Sequence, residues 1–312
     1  GNSTVDTAVF RFAAANDSYT ITEVVATTSD NTTILSASLK DGSTVVGTGA
    51  ISGTTITFSG LTVAVAANSY KLLTVSYTLG SIGAGAGSTG ANIKTTLSTY
   101  KVNNSHGVQS TQANETVTFT PRAGNAIYVY KTKPTITNAS LSTTGTTGTV
   151  SLAKINIAAD AKGAIAWNLI EFTVSKSANP TIASTSYALY DGNNNQIAGT
   201  FTFNNATLTA TGTASAIVNF VPTSEQSVGA GNSMNYTLKA TVSGTLATGD
   251  SIYSLVAQPS SFAASAAYSD GGGSFYWSDM SANSHTTSTA DWSNDYKVKD
   301  LPLDSQTSLK VN

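Results

Sequence analysis

The 312-residue sequence predicts an all-β fold, arranged as two tandem β-sandwich domains with a C-terminal extended tail. Three observations predict it. Apolar runs are short, rich in β-branched residues and bounded by Gly, Asn, Ser or Asp, as in "TVVGTGAISGTTITFSGLTVAV" (44–65). Few segments show helical periodicity. The chain also aligns with itself, and its surface is built from hydroxyls and amides: charged residues make up 10%, against about 25% in a typical soluble protein.

Taken in order, the strand-like segments of the first half recur in the second. "RFAAAND" (11–17) aligns with "KINIAAD" (154–160), and "ITEVVATTS" (21–29) with "LIEFTVSKS" (169–177). "LKDG" (39–42) aligns with "LYDG" (189–192), placing hairpin turns at Asp41-Gly42 and Asp191-Gly192, since Asp-Gly tolerates the positive φ that tight turns demand. "ITF" (56–58) then matches "VNF" (218–220), and "NSYKLLTVSYTL" (68–79) matches "NSMNYTLKATVS" (232–243). Spacing between the copies widens along the chain, so the second carries longer loops. At its end, the alignment sets "ETVTFTPRAGNAIYVYK" (115–131) against "TADWSNDYKVK" (289–299). These comparisons bound a first sandwich at 1–131, a second at 132–300 and an extension at 301–312.

Composition narrows the function. With 15 basic and 17 acidic side chains and no basic run, the chain lacks the positive cluster that binding to nucleic acid phosphate requires. It has no cysteine, so neither disulfides nor thiolate metal sites contribute. No apolar run reaches the roughly 20 residues of a membrane-spanning helix. No charged-then-apolar leader precedes Gly1, and the chain reads as mature or excised material. Sequons at Asn2, Asn16, Asn31, Asn103, Asn114, Asn138, Asn205 and Asn235 mark polar turns in a chain rich in Asn, Ser and Thr.

Hydrolytic chemistry needs a nucleophile beside a base, and the chain has only His106 and His285, each in a turn-like run and read as a loop histidine facing water. Neither follows a nucleophile-elbow motif. No catalytic residue is assigned. The ending "FYWSDMSANSHTTSTADW" (275–292) gathers two of the three tryptophans with acids, and two readings compete for it. Trp277, Asp279, Asp291, Trp292 and Asp295 could form a glycan or calcium site, calcium being the one cofactor these oxygens suit. Alternatively the acids cap turns and the indoles close a core. Trp167, opening a strand-like run, is expected between sheets. Glu23 and Glu171, aligned within strands, need partners if buried. Lys154 with Glu171 raises an intramolecular isopeptide crosslink, which the aligned Arg11 could not form; an ion pair or a solvated face is the simpler reading.

The two copies differ at their ends. "KPTITNASLS" (133–142) is an additional extended segment ahead of the second copy, so the first is expected to expose an unpaired sheet edge and a slot in its core. Beyond the last aligned strand, Leu301, Leu303, Leu309 and Val311 alternate with polar residues and suit a strand with one buried face. This makes 301–312 a candidate donor strand that completes the first domain of the next subunit.

The repeat and its size resemble immunoglobulin-like β-sandwich modules of prokaryotic cell-surface, surface-layer and extracellular filament proteins. The closing "YWSDMSANSHTTSTADWSNDYKVKDLP" (276–302) resembles a C-terminal segment that recurs in large surface proteins of small, host-associated bacterial lineages. The resemblance implies a non-enzymatic structural subunit outside the cell that self-assembles head-to-tail with other copies of itself. The alternative it leaves is an adhesin or carbohydrate-binding surface module that takes surface glycans.

Overall fold

The computed structural model describes residues 3–83, 86–112, 122–204, 208–257, 274–294, 298 and 300–312. Among them the regular structure is strand, apart from one short 3-10 turn at Ser184–Ser186. No helix is long and apolar enough to cross a membrane. The chain divides into two compact units, Gly1–Tyr130 and Lys131–Asn312.

The first unit contains β1 (Thr4–Ala13), β2 (Tyr19–Thr28), β3 (Ile34–Asp41), β4 (Thr44–Ser52), β5 (Thr55–Val65), β6 (Tyr70–Leu79), β7 (Ala91–Ile93), β8 (Thr95–Asn104), β9 (Gln109–Gln112), β10 (Arg122–Ala123) and β11 (Ile127–Val129). One sheet runs β1-β6-β3-β4-β5-β2-β8-β10, with β9 on β8. The strand β4 makes this continuity, pairing with β3 through Gly49 and with β5 from Ala50 onward. Glycine is required there: a Cβ on Gly49 would stand 2.7 Å from Ile56 Cγ2 and 2.9 Å from the Phe58 ring. In β5, Gly60 at φ 67° resets the alternation, so that Phe58 and Leu61 both face the core. Buried hydroxyls satisfy one another at the centre, where Thr95 Oγ1 lies 2.9 Å from both Thr7 Oγ1 and the Tyr77 hydroxyl.

The second unit contains β12 (Pro134–Asn138), β13 (Gly148–Ala159), β14 (Ile165–Lys176), β15 (Thr181–Ile182), β16 (Ala188–Tyr190), β17 (Gly199–Asn204), β18 (Ala214–Pro222), β19 (Gln226–Val228), β20 (Ser233–Ser243), β21 (Ser251–Leu255), β22 (Phe275–Ser278), β23 (Trp292–Asn294) and β24 (Gln306–Lys310). One sheet runs β12-β13-β20-β15 with β16 on β20; the other runs β17-β18-β14-β21-β24, with β19 and β22 also on β14 and β23 on β22. The two meet through Trp167 of β14 and Tyr236 of β20, both fully buried. Trp167 is core, as its place at the start of a strand-like run predicts.

Strand pairing repeats between the units. β1 on β6 runs from Thr4 opposite Thr78 to Ala13 opposite Tyr70, skipping Thr7; β13 on β20 runs from Gly148 opposite Val242 to Ala158 opposite Ser233, skipping Leu152. Register and bulge coincide when Phe10 corresponds to Ile155 and Phe12 to Ile157. Leu39 of β3 and Leu189 of β16 sit opposite Val75 and Leu238, and Phe58 and Phe220 occupy matching places beside β2 and β14.

This geometry corrects parts of the sequence alignment. Setting "RFAAAND" on "KINIAAD" is two residues out, an even slip that leaves the faces unchanged. Setting Leu72 on Tyr236 is one residue out and inverts them, since Leu72 is exposed and Tyr236 buried; Leu73 is the true counterpart. Glu23 and Glu171 likewise are not equivalent: Glu23 pairs with Lys101 at 2.8 Å, while burial pushes the Glu171 carboxyl up. Lys154 and Glu171 stand on different sheets, alternating with buried Ile155 and Phe172, so they occupy opposite outer faces and cannot be crosslinked. The Asp41-Gly42 turn joins β3 to β4 with Gly42 at φ 60°. At Asp191 the loop is longer, and the positive φ falls on Asn194 instead of Gly192.

The expected donor strand is occupied. β24 pairs antiparallel with β21, Leu309 opposite Ile252, while Thr144 bridges its other side. Leu309 and Leu303 are buried, the Leu303 N–H donates to Val256 O, and Val311 exchanges backbone bonds with Gly249 and Asp250. Leu301 is half-buried beside them. The tail closes its own unit because an exposed edge at β21 lies within a few residues' reach, and the apolar alternation that fits a neighbour fits that edge equally.

Candidate functional site

The aromatic-acidic ending is a hairpin-like insertion against β14. β22 pairs Trp277 with Trp167 and returns through β23, which sets Trp292 opposite Ser278. Alternation is lost in β22, where Phe275, Tyr276, Trp277 and Ser278 are all buried. Trp277 is 3% exposed and Trp292 1%, so neither offers an open face on which a sugar could stack. The Trp292 indole N–H donates to Thr286 O at 2.9 Å, fastening the loop over it.

The acids of this segment hold backbone. Asp279 Oδ2 accepts the Lys131 N–H at 2.8 Å and Oδ1 the Ser281 N–H at 3.2 Å, while the Lys131 ammonium donates to Met280 O. Asp291 accepts the Ala282 N–H at 3.1 Å and the Thr289 hydroxyl, and lies 2.9 Å from His285 Nδ1. Burial pushes the Asp291 carboxyl up, but those hydrogen bonds and the His285 charge outweigh it and hold it below the usual range. Of the residues expected to form a glycan or calcium site, Trp277, Asp279, Asp291 and Trp292 are buried, and both carboxylates accept backbone N–H groups. Asp295 lies outside the described residues. Among the described residues, no three His, Asp or Glu side chains gather in metal-holding geometry.

His285 departs from its expected place in solvent. Its side chain is 8% exposed, with Nδ1 facing Asp291 and Nε2 3.2 Å from Glu225 Oε2, and its ring lies against Trp292 at 5.3 Å. The Nε2 contact is a close charge approach with angles too poor for a hydrogen bond. Ser278 Oγ approaches the same Nδ1 at 3.4 Å and also accepts the Met280 N–H. Serine and carboxylate therefore share one ring nitrogen, whereas a proton relay needs them on opposite nitrogens. The arrangement pins a loop and cannot activate a nucleophile. His106 stands exposed in its turn, 3.2 Å from Ser105 Oγ.

Two polar groups escape sequence reasoning. Lys176 ends β14 fully buried, donating to Gly212 O at 2.6 Å; burial lowers its pKa and nearby Asp250 opposes the shift. Asp250 accepts from the Ala247 N–H, the Ser177 hydroxyl and the Asn179 amide, which hold its carboxyl below the usual range. A lysine closing an apolar strand run signals such a site, but the Gly212 carbonyl that accepts from it lies 36 residues away. On the outer face of β13 and β20, Ser140, Thr144, Lys154, Asn235, Thr237 and Lys239 line an open groove of about 480 Å³.

No family model matches the sequence, and no curated protein does. Among solved structures, the chain aligns with the C-terminal domain of the Streptococcus agalactiae antigen I/II polypeptide BspA at 10% identity and TM-score 0.23, covering 81% of this chain and 88% of that one. It aligns with the T6 backbone pilin of serotype M6 Streptococcus pyogenes at 11% identity and TM-score 0.22, covering 99% and 65%. A Pleurotus ostreatus lectin, solved with GalNAc, aligns at 12% identity and TM-score 0.22, covering 95% and 86%. TM-scores this low do not establish a shared fold.

Proposed function

We propose that the protein is a non-enzymatic structural module of an extracellular filament or surface layer, built from two immunoglobulin-like β-sandwiches and working in multiple copies outside the cell. One observation carries the reading: what the two units share is scaffold. Their common positions, Phe10 with Ile155, Leu39 with Leu189 and Phe58 with Phe220, are buried, and among the described residues these core positions are what the matched strands have in common. Duplicating a scaffold without duplicating a site adds length and surface, which is what a spacer or lattice element needs. The weakly charged, hydroxyl-rich surface suits close packing of identical copies. Immuno-electron microscopy of intact source cells tests it. Label on a regular external layer or fibre is expected, and label confined to the cell interior would overturn the reading.

The groove of about 480 Å³ favours a second reading, an adhesin that binds neutral sugars through hydroxyl and amide side chains. Glycan-array binding that is lost with Thr237→Val and Asn235→Leu supports it; binding that survives both changes refutes this groove as the site.

A further inference from the structure

The outer face of β13 and β20 gathers two lysines on one patch. Lys154 stands opposite Thr237, and Lys239, two residues further along β20, stands opposite Ser151. Each is flanked by buried neighbours, Ala153 and Ile155 on β13 and Leu238 and Ala240 on β20, so both side chains leave the core and line the groove of about 480 Å³ above the sheet. Lys239 is engaged there: its ammonium donates to Asn194 Oδ1 at 2.7 Å and lies 4.2 Å from the centre of the Tyr190 ring. Lys154 is not. Its backbone N–H donates to Gln306 Oε1, but among the described residues no acceptor or carboxylate meets its ammonium. The ammonium groups of Lys94, Lys133, Lys162 and Lys310 are equally free among the described residues, but those four lysines are exposed, whereas Lys154 is half-buried. Asp191 is the one acid of the groove lining, and its own turn holds it: Oδ1 accepts the Asn193 and Asn195 N–H groups and Oδ2 the Asn195 amide. The groove therefore keeps an uncompensated positive charge on its floor, beside walls of hydroxyl and amide groups.

We propose that Lys154 is the anion-binding position of this groove and that the ligand is a saccharide of neutral residues carrying one acidic group, a carboxylate or a sulfate. This ligand class rests on the sugar-binding reading of the groove. Hydroxyls of the neutral residues match Ser140, Thr144, Asn235 and Thr237, while the acidic group takes the Lys154 ammonium in a charge-assisted hydrogen bond. Lysine is a point charge without the planar fork of arginine, so carboxylate and sulfate suit it alike. Lys239, held by Asn194 and Tyr190, adds to the positive potential that draws the acidic end to this part of the groove.

A glycan array printed with neutral, sialylated and sulfated forms of the same glycans is probed with the full chain, and calorimetry of the matching soluble sugars gives their affinities. The acidic forms are expected to bind about fivefold tighter than the neutral one, the size of one partly exposed ion pair, and to lose that margin in high salt. Lys154→Met keeps the aliphatic stem and should bring the acidic forms down to the affinity of the neutral one, which itself stays unchanged and shows that the groove is folded. Lys133→Met makes the same change in net charge outside the groove lining and should keep the margin. A margin confined to the sialylated or to the sulfated form supports the subsite and assigns its acid. Acidic forms that bind no tighter than the neutral one, or a margin that survives Lys154→Met, would overturn the acidic subsite and leave the sugar-binding reading standing. Binding to no glycan on the array would overturn both.

Discussion

Trp167 meets Tyr236 edge-on, ring centroids 5.0 Å apart and planes at 89°, and this contact joins the two sheets of the second unit. Trp167→Ala removes the largest side chain at that junction and should cost about 3–5 kcal/mol. Tyr236→Phe keeps the ring and should cost less than about 1.5 kcal/mol. Urea unfolding measures both, and equal effects would mean that the contact is not where the sheets are held.

The C-terminal strand should behave as part of its own unit. Leu309→Ala should destabilise by about 2–5 kcal/mol as a buried large-to-small change. Deleting residues 301–312 should lower the melting temperature of the second unit and expose β21 to proteolysis. A truncated chain as stable as the full one would return the tail to solvent.

Acid sensitivity should trace to Asp250. Its carboxyl is held low by the Ala247 N–H, Ser177 and Asn179, so it binds its proton less readily folded than unfolded. The stabilisation is therefore complete above the unfolded value of about 3.9 and is lost as pH falls through the folded one. Thermal melts from pH 7 to pH 2 should show this loss, and Asp250→Asn should flatten it while lowering stability at neutral pH.

His285→Ala leaves the buried Asp291 one partner short and should cost about 1–3 kcal/mol. His106→Ala, in an exposed turn, should change stability by less than about 0.5 kcal/mol. Comparable effects would argue against the pinned loop.

A chelator should leave the melting temperature unchanged, because carboxylate oxygens of Asp279 and Asp291 already accept backbone N–H groups. Calcium held only by the folded state would raise stability by linkage, so a fall in melting temperature on adding EDTA would restore it.

Strand content, the Asp-Gly turn after β3, the burial of Trp167 and the additional segment ahead of the second copy were all legible in the chain, because each is written in local alternation or in turn chemistry. Register was not. A period of two is satisfied equally by every even shift, so Arg11 could be set on Lys154 without disturbing a single face, while a single-residue error at Leu72 passed unseen among neighbouring apolar residues. The fate of Trp277 and Trp292 was equally hidden, since β22 is buried on both faces and shows no alternation to read. Glu225 meets His285 across a long stretch of chain, and Leu309 could serve β21 or a neighbour with the same side chain. Local sequence determines which segments become strands and which face of each is apolar; which edge a strand takes, and which acid a buried histidine meets, is decided by long-range pairing that only the folded chain brings together.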